Sequence, residues 1–268
     1  MIKVNNNELE KKTFPDGTPN IQLFPEFKSD SYDQIEITWE FDSMEELFIL
    51  QCIADYYKGK ELFLYMPYIP NARMDRVKNS EDVFTLKSFA KMINSMGFAR
   101  VVVNNAHSDV SMALIDNIDD VGLLLIEEFL RSAPSEIETI MFPDAGACKR
   151  YSSLKVVKQN YNIVIGQKNR DWKTGTILGL DIIGKEEDIK DKDILIIDDI
   201  CSKGGTFKYS AIELKKLGAK NIYLYISHCE NVIDIEALKE AGITKVFTTN
   251  SIYRGTNDFV EVCELMLH

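Results

Sequence analysis

The chain has 268 residues, 45% of them hydrophobic and 10% aromatic, enough for two compact lobes with separate cores. Its formal net charge of -11 repels nucleic-acid phosphates and anionic membrane surfaces, so any anion it handles must be held by local basic residues. Five cysteines without a Cys-x-x-Cys pair, three histidines, and the lack of a signal-like or membrane-length apolar run argue against a structural zinc site; they fit a soluble protein of the reducing cytoplasm.

From Ile35 onward, strand and helix patterns alternate: strand Ile35–Trp39, helix 43–57, strand Glu61–Met66, helix 81–96, strand Arg100–Asn104. In the 81–96 helix Val83, Leu86, Phe89, Ile93 and Met96 recur at three- and four-residue steps, with Ser80 as the expected N-cap and Gly97 just past the end. The rhythm restarts after the acidic segment Asp116–Asp120. There the pattern predicts a helix near 121–131, strand Glu138–Phe142, helix 147–159, strands Asn162–Gly166, 176–183 and 193–197, and helix 205–217. Strand Asn221–Ser227, a helix near 233–241, strand Thr244–Thr248 and an amphipathic helix near 258–267 complete the series. The expected class is α/β, with two similar lobes at 1–120 and 121–257, each a mainly parallel sheet flanked by helices.

The most informative segment is Asp193 to Thr206: an apolar strand, two carboxylates at Asp198 and Asp199, then Ser202-Lys203-Gly204-Gly205-Thr206 and a helix. Read alone, it fits an acidic helix cap with a glycine turn. It also fits a sugar-phosphate site. Gly204 and Gly205 let backbone N–H groups approach phosphate oxygens, Ser202 and Thr206 offer hydroxyls, and the helix presents its positive end. Asp198 and Asp199 can then hold ribose hydroxyls or a metal.

This segment resembles the signature of the type I phosphoribosyl family, an acidic pair followed by a D-T-G-G-T-like loop, with Ser202 and Lys203 replacing its first Asp and Thr. The stretch Pro67-Tyr68-Ile69-Pro70-Asn71-Ala72-Arg73-Met74-Asp75-Arg76 is similar to P-Y-x-x-x-A-R-Q-D-R of the ribose-phosphate pyrophosphokinases, with Met74 in place of the glutamine. Phe14-Pro15-Asp16-Gly17 resembles their F-x-D-G-E turn, with Thr18 where glutamate is usual. Asn105-Ala106-His107 stands where they have D-L-H, Pro143-Asp144-Ala145-Gly146 matches P-D-x-G, and Lys168-Asn169-Arg170 aligns with K-R-R of their catalytic loop. Taken singly, these read as a basic loop, a structural histidine, a turn and a charged hairpin; in this order along the chain they reinforce one another.

The resemblance implies a phosphoribosyltransferase-like fold and a Mg²⁺-dependent transfer of the β,γ-diphosphoryl group of ATP to the C1 hydroxyl of ribose 5-phosphate, giving AMP and a 1-pyrophosphorylated ribose. It assigns Lys168 and Arg170 to catalysis, and Phe14, Asp16, Arg73, Asp75 and Arg76 to ATP. Asp198, Asp199 and Ser202 to Thr206 fall to the ribose phosphate, and His107 and Asp144 to the metal. It further implies a homo-oligomer in which the Phe14–Gly17 turn completes a neighbour's nucleotide pocket, and a final helix, 258–268, packed on the first lobe. The family usually has a further strand and helix before its F-x-D-G turn, and only 13 residues precede Phe14. Subunit contacts and regulatory sites made by that region are therefore expected to differ. The replacements at Met74, Asn105, Ser202 and Lys203 leave open a larger ribose 5-phosphate ester, such as ADP-ribose, as acceptor. A phosphoribosyltransferase without ATP dependence and a non-catalytic regulatory homologue are the remaining readings.

Overall fold

The computed structural model describes residues 1–28, 32–170 and 177–265, which divide into two compact units, Met1–Gly122 and Leu123–Met266. In the first, β1 (Ile2–Val4), β2 (Asn7–Glu8), β3 (Gln34–Trp39), β4 (Glu61–Tyr65), β5 (Arg100–Val103) and β6 (Ile118–Asp120) form a sheet in the order β2-β1-β3-β4-β5-β6. The strands from β3 to β6 are parallel, and β1 joins antiparallel to both β2 and β3. Helices α1 (Glu45–Tyr56), α2 (Thr85–Ser95) and α3 (Asp109–Leu114) complete the unit, with Trp39, Leu50, Ile53, Leu64 and Phe89 in its core.

The second unit is built on β7 (Ile137–Phe142), β8 (Asn162–Arg170), β9 (Ile177–Ile183), β10 (Asp193–Cys201), β11 (Asn221–Cys229), β12 (Ile243–Thr249) and β13 (Val260–Cys263), in the order β13-β12-β11-β10-β7-β8-β9. Every pairing is parallel except β8 with β9. The apolar run of β10 is the central strand, and it explains itself by period two: Ile194 and Ile196 enter one core while Leu195 and Ile197 enter the other. Around this sheet run α4 (Gly122–Ser132), α5 (Ala145–Tyr151), α6 (Lys155–Asn160), α7 (Gly205–Lys216) and α8 (Ile235–Glu240). The expected two-sheet α/β class is what the structure shows.

Several local expectations are corrected. The helix expected over 81–96 starts at Thr85, because Asp82 Oδ2 accepts the backbone N–H groups of Lys78 and Asn79, both at 2.9 Å, and closes a turn there. Ser80 consequently bonds to Glu81 and caps nothing, while Gly97, at φ 71°, ends the helix as expected. The single helix expected over 147–159 is two short ones broken at 152–154. The strand expected over 193–197 runs on to Cys201, because pairing with β11 continues through Cys201 opposite Cys229. The last expected helix is instead the parallel strand β13: Val260 is buried, Glu261 exposed, and β12 offers its N–H and C=O groups to the chain there. Residues 266–268 of that expected helix, and 171–176 next to β9, lie outside the described residues.

Candidate functional site

The carboxyl end of the second sheet gathers the phosphate-sugar residues. β10 stays paired with β11 to its end, but its pairing with β7 stops at Ile196 opposite Met141. The chain from β7 turns away through α5 and α6 to β8, and the chain from β10 through α7 to β11. These crossovers lead to opposite sides, which makes the β7–β10 junction the switch point where open α/β sheets take ligands. Asp144, Asp198 and Asp199 stand there.

Asp144 is the N-cap of α5, accepting the N–H of Ala147 at 3.0 Å. Asp198 is half-buried, and its Oδ1 accepts the N–H of Asp199 at 2.9 Å. Burial, then the neighbouring carboxylates of Asp199 and Asp144, push the Asp198 carboxyl well above the usual range. Arg150, from the last turn of α5, faces this cluster, with Nη1 3.7 Å from Asp199 Oδ2 and the guanidinium 5.8 Å from the Tyr151 ring centroid. Motif reading passed over Arg150, which belongs to no recognised signature and meets Asp199 only because strand order brings β10 beside α5.

Directly after β10, the loop from Ser202 ends at Gly204, which holds φ 86° as the N-cap of α7. An ideal Cβ there would lie 3.0 Å from Leu238 Cδ2, so both dihedral and packing demand glycine. At Gly205, by contrast, a Cβ would meet nothing within 4 Å. That residue is exposed at the first turn of a 12-residue helix whose N-cap supplies no side-chain hydrogen bond. Amide donors of the first turn thus face open space, the condition for an anion site. Ser202 and Thr206 are half-buried and Lys203 is exposed beside them.

Within the first unit, Arg73, Asp75 and Arg76 follow β4 in an irregular segment. Arg73 and Arg76 are exposed, Asp75 is 9% exposed, and Arg76 Nε lies 3.2 Å from Asp75 Oδ1. Asn71 takes φ 64° and its C=O accepts the N–H of Met74 at 2.9 Å, turning the chain toward the guanidinium groups. Phe14 to Thr18 form a hairpin tip closed by Phe14 N–H to Thr18 O and Gly17 N–H to Phe14 O, both at 2.9 Å. Asp16 is spent inside it: its Oδ1 accepts Thr18 N–H at 3.0 Å and Thr18 Oγ1–H at 2.7 Å, and the backbone bond, then the hydroxyl, holds the carboxyl below its usual value. Phe14 remains 50% exposed.

His107 is half-buried after β5. The turn before it is fixed by Asp120, whose Oδ1 accepts the N–H groups of Asn105 at 2.7 Å and Gly122 at 2.8 Å and whose Oδ2 accepts Ala106 N–H at 2.9 Å. Lys168 and Arg170 lie on β8 with Leu180 and Ile177 opposite them in β9, and their side chains lie outside the described ones. Among the described residues, no group of three or more His, Cys, Asp or Glu side chains is assembled to hold a metal. No helix among them is long and apolar enough to cross a membrane.

Against known proteins, the family model of the phosphoribosyl transferase domain matches residues 116–264, more than half of the chain. The chain belongs to that family. The chain is also similar, over most of its length, to proteins named ribose-phosphate pyrophosphokinase. That of Gloeobacter violaceus is 26% identical over 249 residues, covering 91% of this chain and 74% of its own. That of Ureaplasma parvum is 29% identical over 233 residues, covering 84% and 69%. The protein from Saccharolobus solfataricus is 26% identical over 266 residues, covering 95% and 88%. The crystal structure of phosphoribosylpyrophosphate synthetase from Mycobacterium smegmatis superposes with a TM-score of 0.74 at 18% identity, covering 96% of this chain and 86% of that one; it shows a shared fold. These matches bear out the recognition drawn from the motifs.

Proposed function

We propose that the protein is a Mg²⁺-dependent pyrophosphokinase that moves the β,γ-diphosphoryl group of ATP onto the C1 hydroxyl of ribose 5-phosphate, releasing AMP. The observation that carries this beyond the family is the reach of the likeness. The family match begins at residue 116, whereas the pyrophosphokinase relatives match 91% of the chain and so extend into the unit carrying Arg73 and Arg76. A phosphoribosyltransferase uses the 202–206 loop but has no need of two exposed guanidinium groups suited to polyphosphate oxygens.

In this reading Ser202 to Thr206 hold the 5-phosphate, Asp198 and Asp199 fix the ribose hydroxyls, and Arg73 and Arg76, with Phe14, Asp16 and Asp75, bind the nucleotide. His107 and Asp144 would hold Mg²⁺, which when bound neutralises and orients the polyphosphate. The hard carboxylate oxygens of Asp144 suit that ion, which commonly takes one or two carboxylates together with substrate phosphates. Lys168 and Arg170 stabilise charge on the transferring group and exclude water. Because both reactants are anionic, alignment of O1 with the β-phosphorus and neutralisation of charge are the main tasks. The exposed Phe14 at its hairpin tip reaches a neighbouring copy's nucleotide, so the active form is a homo-oligomer, and its setting is the cytoplasm.

One observation favours a second acceptor: Lys203 is exposed beside the loop, where it can meet a further phosphate on a ribose 5-phosphate ester such as ADP-ribose. Presenting ATP with either acceptor and reading product masses tests both readings together. AMP release with ribose 5-phosphate supports the first, release with ADP-ribose alone supports the second, and no AMP with either refutes the pyrophosphokinase reading. Lys168→Ala is expected to lower kcat by about a hundredfold or more with little change in KM; near-normal turnover removes that residue from the chemistry.

A further inference from the structure

We propose that Asp120 is a positioning residue for nucleotide binding, fixing the turn that carries His107 through three backbone hydrogen bonds. This rests on the reading above, in which His107 would hold the Mg²⁺ that accompanies the nucleotide.

Asp120 is the last residue of β6 and is paired in register with Val103, the last of β5. The two strands therefore end side by side, and the Asp120 carboxylate reaches the turn leaving β5. Asn105 N–H, Ala106 N–H and Gly122 N–H all end on it at 2.7 to 2.9 Å. A carboxylate accepting backbone donors makes stronger bonds than a neutral acceptor, and three of them on consecutive and neighbouring peptides leave the turn little freedom. Asn105 also sits at φ 51°, a conformation rare for residues other than glycine, which persists where the surroundings over-determine it. A second restraint acts from the same side: a Cβ on Gly122 would fall 2.2 Å from the Asn105 nitrogen, so the α4 start packs directly on the turn. Val121 N–H, bonded to Val103 O at 3.0 Å, ties the two segments once more. His107 follows one residue after this clamp. It leaves a backbone that Asp120 holds, although Asp120 is exposed at the surface and belongs to none of the recognised motifs.

A merely structural carboxylate would, when removed, lower stability and weaken both substrates alike. A positioning residue for His107 weakens the nucleotide selectively. The test is calorimetric titration of the full chain with Mg²⁺ plus a non-hydrolysable ATP analogue, and separately with ribose 5-phosphate. Asp120→Ala is expected to weaken the analogue at least tenfold and to leave ribose 5-phosphate within about twofold. His107→Ala should match it, and the double variant should be no weaker than either single one, because both changes interrupt the same arrangement. Asp120→Asn, which keeps one acceptor oxygen, should lose about threefold. If Asp120→Ala fails to fold, Asp120→Asn, which keeps the size of the side chain, carries the test: equal affinity for the analogue in Asp120→Asn and the wild type overturns the role. Wild-type binding of the analogue that survives these changes overturns the role alone, as do additive effects of Asp120 and His107. Failure of the wild-type chain to bind the analogue overturns the pyrophosphokinase reading, and this role with it.

Discussion

Gly204 and Gly205 are neighbours in the sequence and opposites in physical demand, so alanine at each separates folding from binding. At Gly204, with φ 86°, any L-residue bears the left-handed cost of roughly 1–2 kcal/mol. The new methyl also presses Leu238 Cδ2 and Cδ1 at 3.0 and 3.3 Å, and that core side chain, fully buried, has little room to yield. Gly204→Ala should destabilise the protein by about 2 kcal/mol, lowering the thermal midpoint by about 4–8 °C for a domain of this size. At Gly205 the added methyl meets no protein atom within 4 Å and the backbone is already helical, so stability should stay level or rise by up to ~1 kcal/mol. That methyl nonetheless occupies the space before the first-turn amides. A loss of tenfold or more in ribose 5-phosphate affinity, about 1.4 kcal/mol, is the expected result. Scanning calorimetry reads the first effect and titration calorimetry the second. Unchanged sugar-phosphate affinity in Gly205→Ala refutes the placement of the anion, and an undiminished midpoint in Gly204→Ala refutes the argument from dihedral and packing.

Arg150→Gln should raise KM for the sugar phosphate about tenfold and leave KM for ATP unaltered, because its guanidinium offsets Asp199 at 3.7 Å; an equal rise in both constants in steady-state kinetics would count against that role. Glu46, 1% exposed, accepts hydrogen bonds from Trp39 Nε1 and Asp42 N, both at 2.9 Å, and pairs with Lys11 at 2.8 Å. Burial pushes its carboxyl up, but Lys11, the N-terminal ammonium, Trp39 and Asp42 together bring it down from 4.5 to about 2. A depressed folded value makes its stabilisation complete above pH 4.5 and lost as pH falls toward 2, at on the order of 3 kcal/mol. Glu46→Gln should therefore lower urea stability at pH 7 and flatten its decline between pH 5 and 3; an unchanged acid profile would show that Glu46 does not contribute.

How far the fold could be read depended on local pattern. The continuous apolar run Ile194–Ile197 announced a strand buried on both faces, and the period of Leu86, Phe89 and Ile93 announced α2. The two-residue β2 and the three-residue β1 and β6 are too short to show a period, and they exist because neighbouring strands complete their hydrogen bonds; the six-residue α3 is likewise too short to show one. β13 was misread for a similar reason: Phe259, Val260 and Val262 fit a helical stripe as well as a strand, and pairing with β12 decides. At the site, Gly204, Gly205 and the acids were legible because phosphate chemistry dictates residue types. Asp120 and Arg150 were not, since each acts through partners brought close by strand order.

Strand β8 is paired with β7 only as far as Ile165, and from Gly166 to Arg170 its sole ladder partner among the described residues is β9. Lys168 and Arg170 thus belong to a two-stranded ribbon at the sheet edge, whose Leu180, opposite Lys168, is buried in the core of the unit. Such a ribbon can swing or fray without breaking a bond of the central strands, since isolated hairpins are marginal while sheet interiors are not. Substitutions in β9 away from the buried Leu180 can accordingly tune this edge while the hydrogen bonds of the central strands stay intact.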